Sequence, residues 1–279
     1  MISPRVLLRA VARDYLLLAA LLILCMFLLG IVAFALLPFG RPDEVGALER
    51  LQPPTLAAPF GGDQLGRPIL ARVVQGLQNT FLLSAFAVLV SGLLGALTAT
   101  CATYWRPLSN EISNRFSDIL FSFPPILLGI LVTAVIRPGI VSAMVVIAAI
   151  TFPAMSRVVR AATLAVMKRD FVVVAEISGV SFFRRVFTHI LPNVSETIFV
   201  QLVYSISVGM LVESSLSFLG IGVQAPTASL GTMLRDGVPY IEVAPWMVFP
   251  AGITLSLAIL SVNLLGDGLR RTIDPLGME

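Results

Sequence analysis

The sequence predicts an all-α integral membrane protein with six transmembrane helices. Of its 279 residues, 57% are hydrophobic and only 13% are charged, whereas roughly 25% of the residues in a soluble chain are charged. The hydrophobic residues are also gathered into long uncharged runs, and several of these reach the roughly 20 residues that one spanning helix needs. This composition excludes a soluble globular enzyme.

The first two helices are predicted from the first two uncharged runs. The run at 15–40 opens at Tyr15 and closes at Pro38, and its apolar core is longer than the apolar region of a signal peptide. We therefore expect an uncleaved span, with a cleaved signal peptide as the alternative because arginines precede the run. The second run covers 73–105, and its span is expected at 77–104.

The remaining four helices follow from the later runs. The third and fourth are expected at 119–136 and 140–162, joined by the turn-forming sequence Arg-Pro-Gly at 137–139. This connection is short, so the two helices are predicted to be an antiparallel pair. The fifth helix is expected at 194–213 and the sixth at 246–266.

A segment rich in glycine and proline separates the last two spans. Residues 214–234 carry no charge, yet they contain Gly220, Gly222, Pro226 and Gly231. A backbone group without a hydrogen-bond partner in lipid costs several kcal/mol, so this segment is not expected to cross as one continuous helix. We interpret it as a segment that enters, or lies along, one face of the membrane.

The basic residues set the orientation of the spans. With six spans, 13 of the 19 lysines and arginines lie on the side of the N-terminus, and the positive-inside rule places that side in the cytoplasm. A seventh span would move Arg270 and Arg271 outside. The chain is accordingly divided into a cytoplasmic N-terminus (1–14), a first span with an extracytoplasmic loop (15–76), a transmembrane core (77–267) with one sizeable cytoplasmic loop (163–193), and a cytoplasmic C-terminus (268–279).

The cytoplasmic loop is predicted to fold into two short helices. Asp170 is expected to cap a helix over 171–178, Gly179 to interrupt it, Ser181 to cap a second helix, and Pro192 to end that helix. One interpretation is an interfacial helix with its arginines near lipid phosphates. The other is a docking element for a cytoplasmic partner, and composition alone does not decide between them.

Two stretches of this loop carry a family resemblance, Phe171-Val-Val-Val-Ala-Glu-Ile-Ser-Gly179 and Phe187-Thr-His-Ile-Leu-Pro-Asn193. They are similar to the EAA loop of binding-protein-dependent ABC importer permeases. In that loop a glycine lies four residues after Glu-Ala-Ala, and Ile-Leu-Pro begins eleven residues after the glycine. Val173 and Val174 stand where the family usually has Glu and the first Ala. The residues that this resemblance implies for coupling to an ATPase are Phe171, Val173, Val174, Ala175, Glu176, Gly179, Ile190, Leu191 and Pro192.

Further motifs extend the resemblance over residues 60–279. They are similar to motifs of the dipeptide/oligopeptide/nickel class of permeases, and the later ones to its C-type permease. The stretches are Phe60-Gly-Gly-Asp-Gln-Leu-Gly-Arg67, Asp118-Ile-Leu-Phe-Ser-Phe-Pro124, Glu213-Ser-Ser-Leu-Ser-Phe-Leu-Gly-Ile-Gly-Val-Gln-Ala-Pro226, Asn263-Leu-Leu-Gly-Asp-Gly-Leu-Arg270 and Asp274-Pro275.

The resemblance implies a permease subunit that forms half of the translocation path of an ABC importer in the bacterial inner membrane. It implies a heterodimer with a second permease subunit, two cytoplasmic ATPase subunits, and an extracytoplasmic substrate-binding protein. Membrane lipid is expected around the chain, and a nucleic-acid partner is not expected. The expected cargo is a di- or oligopeptide, with nickel as the alternative in the same class.

The chain itself is not expected to be an enzyme. It contains no G-x-x-x-x-G-K-[ST] motif to bind ATP phosphates, so ATP and Mg²⁺ are expected on the partner ATPases. No catalytic, cofactor-binding or metal-binding residue is assigned. An ion-coupled secondary transporter is the alternative from another class, but it would need acids at the midplane or broken helices in symmetric halves, and the sequence shows neither.

Five residues are candidates for the path or a gate, namely Ser84, Ser91, Thr98, Glu213 and Ser217. The first three share one face of the second span, where small residues are typical of close helix packing, and a solute path is the alternative. Glu213 lies near the outer end of the fifth span. It either marks the span boundary or holds the Gly-rich segment through backbone N–H groups.

The topology can be tested with single cysteines in a chain whose native cysteines have been removed. Cysteines at Ser3, Ser181 and Gly277 should react only from the cytoplasmic side, and one at Thr55 should react from outside, because the basic residues fix this orientation. The measurement is labelling of intact and permeabilised cells with an impermeant maleimide. Reaction of Gly277 from outside would contradict the six-span arrangement.

Overall fold

Long helices run through the chain in a computed structural model that describes residues 15–36, 41–105 and 107–273. The predicted features at Pro38, at Asp274-Pro275 and in the N-terminal segment lie outside these residues. In the described part, α-helices are joined by loops and short turns. The helices are α1 (Tyr15–Leu36), α2 (Ile69–Trp105), α3 (Pro107–Ser122), α4 (Pro125–Ile136), α5 (Ile140–Met167), α6 (Asp170–Ile177), α7 (Phe182–Arg185), α8 (Leu191–Phe218), α9 (Leu230–Gly237) and α10 (Phe249–Ile273).

Five helical segments of the described chain are long and apolar enough to cross a membrane. They contain α1, α2, α5, α7 with α8, and α10, and the bent pair of α3 and α4 makes a sixth if it is counted as one span. The predicted all-α membrane fold is therefore confirmed. Both α2 and α5 are longer than the predicted spans, because α2 begins at Ile69 and α5 continues to Met167.

The third span differs from its prediction. One helix was expected over 119–136, but α3 and α4 meet at an angle of 94°. The break falls at Phe123 and Pro124, directly before α4 begins at Pro125. Proline has no N–H to donate and clashes with the preceding turn, and it also disfavours the helical conformation of the residue before it. Two adjacent prolines inside an uncharged run therefore divide the predicted span.

The ends of the loop helices also differ from the prediction. Asp170 is the first residue of α6 and not its cap, which is Arg169, but the acidic side chain in the first turn still interacts favourably with the helix dipole. Pro192 does not end a helix. It lies in the first turn of α8, directly after a single π-helical turn (Val186–Ile190) that joins α7 to α8. The changed hydrogen-bond register of that turn accommodates the missing N–H without ending the helix.

The Gly/Pro-rich segment is not one continuous helix. α8 ends at Phe218, Gly220 has a φ of +82°, and the chain resumes as α9. The segment is packed inside the protein, because Val223, Ala228 and Leu230 are all buried. These residues pack against α2, α5, α8 and α10. The segment thus belongs to the core at the end of the bundle away from the 163–193 loop, which we call the far end.

Small residues allow the central helices to approach closely. A side chain at Gly95 of α2 would lie 3.0 Å from the carbonyl oxygen of Phe152 in α5. Nearby, the hydroxyls of Ser91 and Thr151 share a hydrogen bond of 2.7 Å between the same two helices. Close backbone approach and interhelical hydrogen bonds are the forces that join helices in lipid. α2 and α5 therefore form a rigid centre for the bundle.

The contact between α8 and α9 can be tested at Gly231. A Cβ atom there would lie 2.2 Å from the carbonyl oxygen of Ser214, and backbone cannot move aside. We expect Gly231→Ala to lower the stability of the detergent-purified chain by about 1–3 kcal/mol, as overpacking does. The measurement is the thermal unfolding midpoint.

The matched control is Gly252→Ala in α10. Its added Cβ would meet its nearest neighbour, a Leu234 methyl group, at an ordinary 3.6 Å, and alanine favours a helix over glycine. Equal midpoints for the two variants would show that α9 does not pack on α8 as described.

Candidate functional site

The 163–193 loop forms a helical elbow from α6, a turn at Gly179, and α7. At the end of α6, the Gly179 N–H donates to the Glu176 carbonyl (3.0 Å) and the Val180 N–H donates to the Ala175 carbonyl (3.1 Å). This pair of bonds is the Schellman helix end. Gly179 has a φ of +73°, a conformation that glycine adopts without strain.

The elbow is anchored to the end of α2. Phe182 stacks near Tyr104 and Trp105, with ring centroids 5.5 and 5.1 Å apart. Val172 of α6 and Ile190 of the π-helical turn are buried in the core cluster that contains α2 and α5. The position of the elbow is therefore fixed by aromatic and aliphatic packing against the long helices.

The elbow and the π-helical turn that follows it also expose large apolar side chains. Ile177 is 81% exposed and Val174 is 60% exposed, although burial of such side chains is the usual way to stabilise a helix. Exposed apolar groups that lie together are typical of a surface that binds another protein. We call these residues the elbow surface, and they are Phe171, Val173, Val174, Ile177, Phe183 and Phe187.

Glu176 connects the two helices of the elbow. Its carboxylate lies 3.1 Å from the guanidinium of Arg185, and that guanidinium also lies over the ring of Tyr104 at 5.0 Å. The sequence suggests Glu176 as a replacement for the family acid that is missing at Val173. In the structure the Glu176 carboxylate already has a partner inside the elbow.

The remaining residues predicted for coupling differ in burial. Ala175 and Ile190 are buried, Leu191 is partly buried, and Pro192 is exposed. Buried residues fix the elbow to the bundle, whereas exposed ones are accessible to another chain. The predicted set therefore contains both anchoring residues and surface residues.

A second polar cluster lies at the far end, around the fully buried Glu213 of α8. Its carboxylate accepts hydrogen bonds from the hydroxyls of Thr80 (2.8 Å), Ser217 (2.6 Å) and Ser214 (3.3 Å). The Ser229 hydroxyl is also a hydrogen-bond partner. Burying a carboxylate is very costly unless hydrogen bonds replace its water, and these hydroxyls supply them.

Two of these hydroxyls also accept hydrogen bonds from the Gly/Pro-rich segment. The Leu230 N–H donates to Thr80 Oγ1 (3.2 Å), and the Val223 N–H donates to Ser217 Oγ (3.0 Å). Each of these N–H groups is thus linked to the Glu213 carboxylate through a hydroxyl, and not by a direct hydrogen bond. We call Glu213 with Thr80, Ser214, Ser217 and Ser229 the hydroxyl hub.

The other predicted path residues lie apart from this hub. Ser84 and Ser91 are buried in α2, where a Cβ added at Gly209 of α8 would lie 3.2 Å from that of Ser84. Thr98 is exposed, and its hydroxyl donates to the Leu94 carbonyl of its own helix (2.8 Å). The structure thus brings Glu213 and Ser217 together and leaves the three α2 residues spread along their helix. Their place on a path stays a prediction.

Sequence reasoning did not find a buried ion cluster at the far end. Asp63 binds Arg67 through Nε (2.6 Å) and lies 3.6 Å from Arg72, and Arg67 lies 4.0 Å from Asp236 of α9. The cluster fixes the loop before α2 against α9. The only signal was the Asp-x-x-x-Arg spacing within the Phe60 motif, because Asp236 is far away in sequence. Among the described residues no group of three His, Cys, Asp or Glu side chains is arranged to hold a metal.

Comparisons with known proteins agree with this arrangement. Residues 91–276 match the family described as "Binding-protein-dependent transport system inner membrane component". The chain is 36% identical, over 77% of its length and 71% of the relative's, to a di/tripeptide transport system permease protein of Pseudomonas aeruginosa. It is 33% identical to a dipeptide transport system permease protein of Alkalihalophilus pseudofirmus, over 94% of this chain and 86% of the other.

Two further similarities complete the comparison. A glutathione transport system permease protein of Escherichia coli is 35% identical over 92% of this chain and 85% of its own. Among solved structures, an inward-facing conformation of the MetNI methionine ABC transporter has a TM-score of 0.54. That match covers 74% of this chain and 98% of the other at 18% identity, so it supports the fold alone.

The helix end at Gly179 can be tested by its backbone conformation. No atom lies within 4 Å of an added Cβ, so a substitution there changes strain and not packing. Gly179→Val should open the elbow and speed tryptic cleavage beside Arg184 about tenfold, because a β-branched residue with positive φ costs about 1–2 kcal/mol.

Gly179→Asn is the matched control, since asparagine tolerates this conformation better than other side chains. It should be cleaved at nearly the rate of the unmodified chain under the same conditions. Equal cleavage of the valine and asparagine variants would mean that the left-handed turn does not hold the elbow.

Proposed function

Since the chain belongs to the family of binding-protein-dependent transport system inner membrane components, we propose that it is a permease subunit of an ABC importer for di- and oligopeptides. The relatives described above are named for dipeptides, di/tripeptides and glutathione. Glutathione is itself a tripeptide, so all three cargoes share one chemistry. The nickel alternative has no support among these relatives.

The elbow surface is the observation that carries the coupling role. Its apolar side chains project from a structure that is firmly anchored to α2, which suits a docking site for a protein that moves. Two ATPase subunits bind ATP and Mg²⁺ and hydrolyse the nucleotide, and one of them docks on the elbow of this chain. The chain itself has no motif for nucleotide phosphates.

The proposed assembly follows from this division of labour. A second, different permease subunit pairs with this chain to form the path, and a substrate-binding protein delivers peptide at the far end. The elbow and both termini lie in the cytoplasm of a bacterium whose inner membrane holds the complex. The distribution of lysines and arginines supports this orientation.

The helices suggest how docking is converted into movement of the path. The elbow continues without interruption into α8, whose 28 residues extend about 42 Å. Near the other end of that helix, Glu213 holds the Gly/Pro-rich segment through the hydroxyl hub. A shift of the elbow on nucleotide binding therefore reaches the far end as a rigid-body movement of α8.

The docking role can be tested with one charge. Ile177→Asp places a carboxylate on the elbow surface at a position that is 81% exposed, so the fold is not disturbed. We expect about 2 kcal/mol weaker docking, a typical hot-spot loss, and so roughly thirtyfold less ATPase bound. The measurement is co-purification of the ATPase subunits in mild detergent, followed by ATP-driven dipeptide uptake in vesicles.

Val45→Asp is the matched control, because Val45 is 65% exposed in the loop before α2 at the far end. It should retain both ATPase subunits and the second permease subunit. An Ile177→Asp chain that retains its ATPases like the control would refute docking on the elbow. A chain that purifies alone and still transports would refute the importer assignment.

A further inference from the structure

A polar stripe runs along the elbow half of α8. Asn193, Thr197, Gln201 and Tyr204 recur at intervals of three or four residues, and Glu196 is next to Thr197, so they share one side of the helix. The adjoining side is packed into the core through Val194 and Ile198. Polar groups on a spanning helix are costly against lipid, so this stripe faces either water or protein.

The stripe forms one wall of a cavity of about 610 Å³. Sites for small molecules have volumes of about 300–1,000 Å³, so the cavity has the size of a ligand site. Arg169, which precedes α6, and Arg270, near the end of α10, complete the lining together with Val158 and Val200. The cavity therefore adjoins the elbow directly.

The charged groups of this cavity, Arg169, Arg270 and Glu196, form no ion pair within the described residues. At the end of the stripe farthest from the elbow, Tyr204 donates a hydrogen bond to Asp267. Arg270 also donates a hydrogen bond to the Tyr204 hydroxyl. Two guanidinium groups and one carboxylate thus face a common space, and none of them has an ion-pair partner there.

We propose that this cavity holds the peptide at the elbow end of the path. Arg169 and Arg270 bind its C-terminal carboxylate, because guanidinium groups form paired hydrogen bonds with carboxylates, and Glu196 binds its amino terminus. This inference rests on the proposed peptide cargo. It places the elbow end of the path along α8, at residues other than the five on α2 and α8 that the sequence suggested.

The dimensions of the stripe set the size of the peptide. From Asn193 to Tyr204 the helix rises about 16 Å, and an extended peptide spans at most about 3.5 Å per residue. The cavity therefore accepts peptides of up to about four residues. Peptides of this length carry both terminal charges within reach of the lining groups.

Protection of a cysteine in the cavity tests the site directly. Thr197→Cys is introduced into a chain without Cys25 and Cys101, assembled with its partner subunits but without the binding protein. Its rate of reaction with a small maleimide is measured against increasing Ala-Ala dipeptide. We expect the dipeptide to protect the cysteine, and the amidated dipeptide to need about a tenfold higher concentration, since it lacks a charged hydrogen bond.

Two variants test which end of the peptide each charged side chain binds. Arg270→Gln should raise the concentration of free dipeptide that is needed about tenfold but leave that of the amidated dipeptide nearly unchanged. Glu196→Gln should likewise raise the concentration of free dipeptide that is needed about tenfold, and it should leave that of the N-acetylated dipeptide nearly unchanged. Arg115→Gln is the control, because Arg115 pairs with Glu111 on α3, outside the cavity.

Several results would overturn the site. The first is that dipeptide does not protect the cysteine. The second is that Arg270→Gln raises the required concentrations of free and amidated dipeptide equally. The third is that phosphatidylglycerol vesicles protect the cysteine and peptide does not. ATP-driven dipeptide uptake, measured in vesicles after the substrate-binding protein has been added back to this complex, separates the two levels of the proposal. Uptake without protection refutes this site and leaves the importer function standing, whereas the absence of uptake refutes the peptide function itself.

Discussion

The far end of the bundle depends on one buried carboxylate. Glu213 has no exposed surface, and a carboxylate without water is stable only if hydrogen bonds surround it. Its donors come from α2, from α8 itself and from the residue that caps α9. Because Thr80 and Ser217 also accept backbone N–H groups of the Gly/Pro-rich segment, removal of this carboxylate would leave several elements without a common partner.

The elbow and the hydroxyl hub give the molecule two differently built ends. At the elbow end, apolar side chains remain exposed on a frame fixed by Phe182, Tyr104 and Trp105, which suits contact with a moving subunit. At the far end, polar groups are buried and satisfied, which suits a rigid closure. α8 belongs to both ends, so a displacement at one end changes the position of the other.

The sequence predicted the features that local chemistry determines. Six uncharged regions gave the spans, and Gly179 marked the elbow because a left-handed helix end favours glycine. Prediction failed at two prolines whose effect on the helices was misjudged, and at an ion cluster that neighbours in space decide. The apolar composition around Pro124 concealed a 94° bend, Pro192 was tolerated in a first turn, and the partners of Arg67 include Asp236, which no local pattern connects to it.

Hydrogen exchange of the far end in Glu213→Ala tests the role of the buried carboxylate most directly. Removing one charged hydrogen-bonding centre should speed exchange of the amides in 219–237 about tenfold or more, while exchange in the elbow stays unchanged. Ser215→Ala is the comparison, since the Ser215 hydroxyl bonds only the Leu211 carbonyl of its own helix. Exchange in 219–237 that matches this comparison, or acceleration spread evenly over the whole chain, would contradict the hub as the interaction that holds the far end together.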